Sequence, residues 1–229
     1  MFKNTTFTAY MMKAFDECPK KFDYIYQQKI QLPTNVKNTE IGEKIHILAN
    51  YYLNHIDTKN FEKSLSKEEK EIFENFKKNE LLNSKLVASE YPFTVKIENY
   101  WLTGRIDAIF ERDEKIIIAD WKTGQKSEDE NDYQSMIYLY ALYVICSQKR
   151  TELKPENLEF HYFYLKNNER INIEYSMSKM LEQKEFLTNK IKQILSLPYF
   201  LPNRCKCYTC NFKRLCYNYS NKGMNLMSV

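Results

Sequence analysis

The sequence predicts an α/β domain in which helices flank a mixed central β-sheet. The first sign is a change of period. Apolar residues recur at helical spacing over much of 8–83, give way to short β-prone runs over 86–121, return to helix over 130–148, and then alternate strand and helix once more. The second sign is punctuation. The 229 residues hold four glycines and six prolines, with no linker, repeat or low-complexity tract, so a single domain is expected over 1–229, with 198–229 as a cysteine-rich tail.

Taken in order, residues 8–29 read as helix, capped by Thr8, with Tyr10, Ala14 and Phe15 on the apolar side, a break at Cys18-Pro19, and Phe22, Ile25 and Tyr26 beyond it. Residues 40–55 carry Ile41, Ile45, Leu48, Ala49 and Tyr52 at helical spacing. Residues 66–83 open on the capping-box pattern Ser66-Lys67-Glu68-Glu69. Strands are expected at 86–90, 93–98, 102–110 and 115–121, separated by Pro92, Asn99 and a polar turn. A helix over 130–148, strands at 158–165 and 171–175, and a helix over 177–196 complete the order.

Composition narrows the function classes. Uncharged apolar runs, such as Ile116 to Ala119, are shorter than the roughly 20 residues of a membrane span, and the N-terminus lacks the apolar core of a secretory signal, so the chain reads as cytoplasmic. A formal net charge of +4 names no partner by itself, but 198–229 holds Arg204, Lys206, Lys213, Arg214 and Lys222 and no acid. Four of the six cysteines, Cys205, Cys207, Cys210 and Cys216, crowd the same tail. In a reducing compartment such a cluster points to a metal rather than to disulfides.

The chemistry concentrates in Gly104-Arg105-Ile106-Asp107 and Asp120-Trp121-Lys122-Thr123-Gly124. A hairpin turning on Asp113 and Glu114 sets Asp107 opposite Asp120, and alternation sends Asp120 and Lys122 to one face and Trp121 to the other. Converging carboxylates among apolar strand residues suit a hard divalent cation such as Mg²⁺ or Mn²⁺, and a lysine beside them can stabilise charge on a phosphate. An isolated D-x-K tripeptide equally suits a strand-end salt bridge.

These segments resemble the PD-(D/E)XK nuclease superfamily, and within it the RecB-like branch, over Thr8 to about Tyr217. Gly104-Arg105-Ile106-Asp107 is similar to the G-x-(I/V)-D strand and Asp120–Gly124 to the D-(Y/W)-K-T-G strand; Gln134 and Tyr138 match the Q-x₃-Y helix, Gly42-x₃-His46 the histidine helix, and Glu90 a further acidic position. The resemblance implies a restriction-endonuclease-like fold and a divalent-metal-dependent DNA nuclease, an exonuclease on single-stranded DNA or DNA ends. It implies that His46, Asp107, Asp120 and the Trp121 carbonyl hold Mg²⁺ or Mn²⁺. Lys122 would then assist the attack of water on the phosphodiester, Gln134 and Tyr138 position substrate, and Glu90 helps bind or orient a second metal or water.

Cys207-x₂-Cys210-x₅-Cys216 resembles the C-terminal triad of the iron–sulfur members of that branch, the AddB-type helicase-nuclease subunits and the Cas-four type nucleases of CRISPR adaptation. Cys18 stands where their N-terminal fourth ligand lies. The resemblance implies a [4Fe-4S] cluster on Cys18, Cys207, Cys210 and Cys216; spacing alone suits tetrahedral zinc as well, and Cys205 competes with Cys207. Cys146, within a helix, reads as a small apolar residue. A non-catalytic DNA-end-binding subunit of a repair, recombination or CRISPR-adaptation complex, with a helicase or an adaptation protein as partner, is the rival reading.

Overall fold

The computed structural model describes residues 5–32, 36–124, 132–203, 207–208 and 210–216. A short strand β1 (Thr6–Phe7) leads into α1 (Ala9–Glu17), α2 (Pro19–Phe22) and one π-helical turn at Asp23–Gln27, followed by α3 (Val36–Leu53), α4 (Lys59–Ser64) and α5 (Lys67–Lys77). Strands β2 (Lys85–Ile97), β3 (Tyr100–Arg112) and β4 (Lys115–Lys122) come next. Then follow α6 (Tyr133–Ser147), β5 (Leu158–Tyr164), β6 (Glu169–Glu174) and α7 (Met177–Ser196).

Local chemistry explains most of these boundaries. The Thr8 side chain accepts the Met11 N–H at the start of α1, and the break expected at Cys18-Pro19 is present, because proline cannot donate to a continuing helix. Ser66 and Glu69 form the reciprocal capping box of α5. That helix stops at Lys77, however, and the rest of the expected 66–83 segment becomes a short 3₁₀ turn at Glu80–Asn83. α4 has no counterpart in the sequence reading. Among its residues none is buried, so it carries little apolar periodicity to detect.

The sheet is mixed. β2, β3 and β4 form an antiparallel meander, β5 joins β4 in parallel after the α6 crossover, and β6 returns antiparallel on β5. The two runs expected at 86–90 and 93–98 are one strand, β2, running straight through Pro92, which pairs with Arg105. β2 is bonded only to β3 among the described strands, and at such an edge a residue without an N–H is tolerated. The β3–β4 turn is the expected one: Arg112 pairs with Lys115, and the two central residues, Asp113 (φ 49°) and Glu114 (φ 64°), both adopt the left-handed conformation that a tight two-residue hairpin needs.

Two apolar layers cover the sheet. On one face α1, α6 and α7 pack over Ile106, Ile109, Ile116, Ile118 and Phe160; on the other, α3 and α5 pack over Ala108, Phe110, Ile117, Ala119 and Trp121. Every residue of α6 from Ser135 to Leu142 is buried, because that helix is enclosed by sheet and neighbouring helices together.

The edges of β3 create the opening that matters. β2 follows it along nearly its whole length, so β1 and β4 must share its other edge: β1 takes Trp101–Leu102 and β4 takes Ala108–Arg112. Between them β3 has no strand partner on that side among the described residues. The inside–outside alternation also slips here. Leu102 and Ile106 belong to the α6 face but Ala108 and Phe110 to the α3 face, and Glu90, in the β2 position facing Asp107, has φ 48°.

Candidate active site

A cleft of about 400 Å³ occupies this gap. Its walls are the start of α1, the Thr103–Arg105 backbone and Asp107 of β3, and the end of β4 from Asp120 to Gly124, with His46, Gln134 and Tyr138 reaching in from α3 and α6. The ladder ends at Ala108 and Ala119, and the next residues of the same register are the two acids, Asp107 and Asp120. There the Trp121 N–H donates to Asp107 Oδ2 (2.9 Å), so a carboxylate takes the backbone donor as the strands part.

The acids divide into two groups. Asp107 Oδ2 lies 3.3 Å from His46 Nδ1, and His46, Glu90 and Asp107 each offer a ligand atom within 4.8 Å of the others, a possible metal site. Glu90 is also ion-paired with Arg105 (2.8 Å). Asp120 lies deeper, 2% exposed. Its Oδ2 is 2.7 Å from Lys122 Nζ, and its Oδ1 accepts from Gln134 Nε2 at 2.5 Å. Gln134 closes the triangle by accepting from Lys122 Nζ (2.8 Å). The Trp121 indole points to the α3 side, against Phe76 and Phe163, which leaves its backbone at the cleft.

Electrostatics follow from this crowding. Burial pushes the Asp120 carboxyl up to about 6, although Lys122 opposes the rise and Asp107 adds to it. Burial works against the charge of Lys122, yet Asp120 outweighs it and holds the ammonium above the ordinary lysine range. Burial likewise opposes a charged His46, but the hydrogen bond and charge of Asp107, with Asp120 and Glu90 beyond, raise it above the usual histidine value. Glu90 is raised, first by burial and further by Asp107, with Arg105 acting in the opposite sense.

Supporting residues hold this geometry. Asp132 caps α6 by accepting from the Ser135 N–H (2.9 Å) and accepts the Tyr162 hydroxyl at 2.7 and 2.8 Å, fixing the helix that carries Gln134 to β5. The Tyr162 ring lies under Lys122, 5.2 Å from ammonium to centroid. Tyr138, 7% exposed, meets Phe93 edge to face (5.2 Å, 83°) directly over Gly104, where a Cβ would come within 2.7 Å of Phe93 and 2.9 Å of Tyr138. Gly42, one turn before His46, has room for a Cβ only at 3.4 Å from Thr123 Oγ1, which shows how closely α3 approaches the end of β4.

All residues singled out in the sequence for this chemistry therefore meet at one end of the sheet, with Glu90 beside Asp107 and His46 and with Asp120 tied to Lys122 and Gln134. Sequence reasoning missed Arg105 and Asp132. Arg105 stood inside the glycine–aspartate motif, and Asp132 carried a visible signal as an N-cap preceding an apolar run. Tyr10 is a correction: expected on the apolar side of α1 with Ala14 and Phe15, it is 68% exposed and borders the cleft. The buried side of α1 runs through Met11, Met12, Ala14 and Phe15, and Tyr10 falls outside it, at the opening of the sheet.

A second cavity of about 270 Å³ lies between the first helices and the described part of the cysteine-rich tail, lined by Cys18, Cys207, Cys210 and Cys216 with Lys20, Lys21 and Lys213. The Asn203 N–H donates to Cys18 Sγ (3.2 Å), and Tyr24 stacks on Phe212 (centroids 5.5 Å, 22°), joining the first helices to the tail. Burial and the other three sulfurs push the Cys216 thiol up. Cys205 lies outside the described residues. Cys146, on α6, is half-buried and packs against the main apolar layer, as its reading as a small apolar residue expects.

Among the described residues no helix is long and apolar enough to cross a membrane. No curated protein matches the chain in sequence. In structure the chain is similar to SSO0001 (TM-score 0.45, 16% identity, 94% of this chain and 87% of that one covered). It is also similar to a protein from Eubacterium rectale named "putative exonuclease" (TM-score 0.56, 12% identity, 92% and 87% covered), and at that identity the likeness is one of fold. The model of the PD-(D/E)XK nuclease superfamily matches residues 6–217, a span that takes in both strands of the carboxylate hairpin and the helices on either side, and the chain belongs to that superfamily.

Proposed function

We propose that this protein is a divalent-cation-dependent deoxyribonuclease of the RecB-like branch, acting as an exonuclease on single-stranded DNA or DNA ends. The observation that carries the reading is the juxtaposition, in one cleft, of the His46–Glu90–Asp107 group with the buried Asp120–Lys122 pair. The name of the Eubacterium rectale neighbour agrees with an exonuclease.

The carboxylates of Glu90 and Asp107 and the His46 imidazole, within 4.8 Å of one another, suit Mg²⁺ or Mn²⁺; from the family pattern we assign the cation to His46, Asp107 and Asp120 with the Trp121 carbonyl, all of which border the same cleft, and Glu90 stands beside Asp107. When bound, the cation supplies charge neutralisation at the phosphate and makes water more acidic. The protein's own residues do the rest. Lys122, held charged by Asp120, stabilises negative charge growing on the phosphoryl oxygens. Gln134, bonded to both, fixes their orientation, and Tyr138 and Arg105 border the path of the strand.

The four cysteines support a second cofactor, a [4Fe-4S] cluster on Cys18, Cys207, Cys210 and Cys216 that ties the first helices to the tail. All four sulfurs line one cavity, as either a cluster or a tetrahedral zinc ion requires, and the family pattern of the cysteines is what favours the cluster. Iron, sulfide and zinc analysis after anaerobic purification tests this; stoichiometric zinc without sulfide overturns it.

The test of the enzyme is digestion of 5′- and 3′-labelled single- and double-stranded DNA with Mg²⁺ or Mn²⁺, beside Asp120→Ala and Lys122→Ala. Terminal nucleotides released by the wild type alone support an exonuclease. A wild type that binds DNA and cuts none of these substrates leaves only the binding-subunit reading.

A further inference from the structure

Building on the proposed nuclease reading, we infer that Tyr10 is a stacking platform for an unpaired base next to the phosphate held in the cleft, and so selects single-stranded over duplex substrate. Three observations carry this. α1 buries Met11, Met12, Ala14 and Phe15, whereas the Tyr10 ring is 68% exposed at the rim of the cleft that holds Asp107, Asp120 and Lys122. Tyr10 lines that cleft together with Lys122 and Tyr138, beside the residues assigned to the chemistry rather than on a remote surface.

The ring is also mounted rigidly. β1 pairs with β3, the Trp101 N–H donates to the Thr5 carbonyl (2.8 Å), Thr8 caps the helix, and the Met12 N–H returns to the Thr8 carbonyl (3.2 Å). An aromatic with two side-chain torsions on such a base loses little entropy when it accepts a flat partner. Cations are at hand for the attached phosphates: Lys122 and Arg105 border the same cleft, and exposed Lys13 follows one turn along α1. A paired base within a duplex is already stacked on both faces and offers none to Tyr10, whereas an unpaired base gains a π contact. Discrimination between strand states then needs no reading of sequence.

The test uses single-stranded oligonucleotides and matched duplexes carrying 2-aminopurine, in EDTA, with wild type, Tyr10→Ala, Tyr10→Phe and Tyr199→Ala. Tyr199 is a control of equal exposure (66%) outside the cleft. Stacking worth about 1–3 kcal/mol per base corresponds to about 5–150-fold in affinity. Tyr10→Ala is expected to weaken single-strand binding by that factor and to abolish fluorescence quenching, while Tyr10→Phe and Tyr199→Ala behave as wild type and duplex affinity is unchanged in all. Circular dichroism checks that Tyr10→Ala stays folded. Retained affinity and quenching in Tyr10→Ala overturn the platform, as does equal loss in Tyr10→Phe, which would point to the hydroxyl. If the wild type cuts single strands with Mn²⁺ while Tyr10→Ala binds normally, the platform alone fails; if the wild type neither binds nor cuts DNA, the nuclease reading fails with it.

Discussion

Adding one methyl group at Gly104 tests whether the cleft floor depends on close packing. The Cβ of Gly104→Ala would stand 2.7 and 2.9 Å from two carbons of the Phe93 ring and 2.9 Å from a Tyr138 ring carbon. Carbon atoms pack at about 3.5–4.0 Å, so both rings must retreat by close to an ångström. Neither is free to do so: Phe93 is 4% and Tyr138 7% exposed, and Tyr138 also leans on Phe160 at 6.1 Å. Overpacking of this kind costs about 1–3 kcal/mol, or roughly 2–12 °C in Tm for a domain of this size. Because Tyr138 follows Gln134 by one helical turn, its displacement also disturbs the Gln134 bonds to Asp120 and Lys122, so activity should fall more than stability does. The measurement is thermal and denaturant unfolding of wild type, Gly104→Ala, Phe93→Leu and the double variant, with DNA cleavage alongside. Phe93→Leu removes two of the three clashing atoms, so the double variant should be less destabilised than the sum of the singles. Gly104→Ala with unchanged Tm and activity, or strict additivity, would refute the packing argument.

Lys122→Met should abolish DNA cleavage and destabilise the fold, up to the about 3–5 kcal/mol of a broken buried pair, because Asp120 at 2% exposure loses its cation. Adding Asp120→Asn should restore much of the stability and none of the activity, and a double variant no more stable in denaturant than Lys122→Met counts against the pairing. Mn²⁺ at a hundred times its Kd should stabilise the protein by about 2.7 kcal/mol, about 5–11 °C by scanning fluorimetry; Asp107→Asn, touching both His46 and the Trp121 N–H, should erase the shift, and a shift that survives places the cation elsewhere. His161 is 2% exposed, and burial lowers its pKa although Glu159, 3.0 Å away, pulls it up. Below the unfolded-state value near 6.5 the unfolded chain therefore binds the extra proton. Its contribution to stability is complete above that pH and declines as the pH falls, by at most about 1.4 kcal/mol per unit. Denaturant titrations from pH 7 to 5 should show a shallower slope for His161→Gln, and identical slopes would refute the assignment.

Much of the site was legible because local rules set it. The turn at Asp113-Glu114 determines which β3 and β4 residues face each other, so the opposition of Asp107 and Asp120 could be counted along the chain, and the same period sends Trp121 to the opposite core. The Thr8 cap, the Cys18-Pro19 break and the Ser66–Glu69 capping box are likewise encoded within a few residues. Pro92 misled, since a proline interrupts a central strand but not an edge strand, and edge position is a property of the sheet.

By itself the sequence determined the order of helices and strands, the hairpin register, the residues that carry the chemistry and the gathering of cysteines near one end, because caps, turns and alternation are short-range. Only the tertiary structure decided that β1 and β4 divide one edge of β3 and leave a cleft between them, that Asp120 is buried against Lys122 and Gln134 while Asp107 turns to His46 and Glu90, and that Tyr10 stands at the rim instead of in the core. The physical reason is that burial and pairing depend on which distant segments arrive together. Residues as far apart along the chain as Gly42 and Thr123 become neighbours only when α3 and the end of β4 pack on the same opening of the sheet.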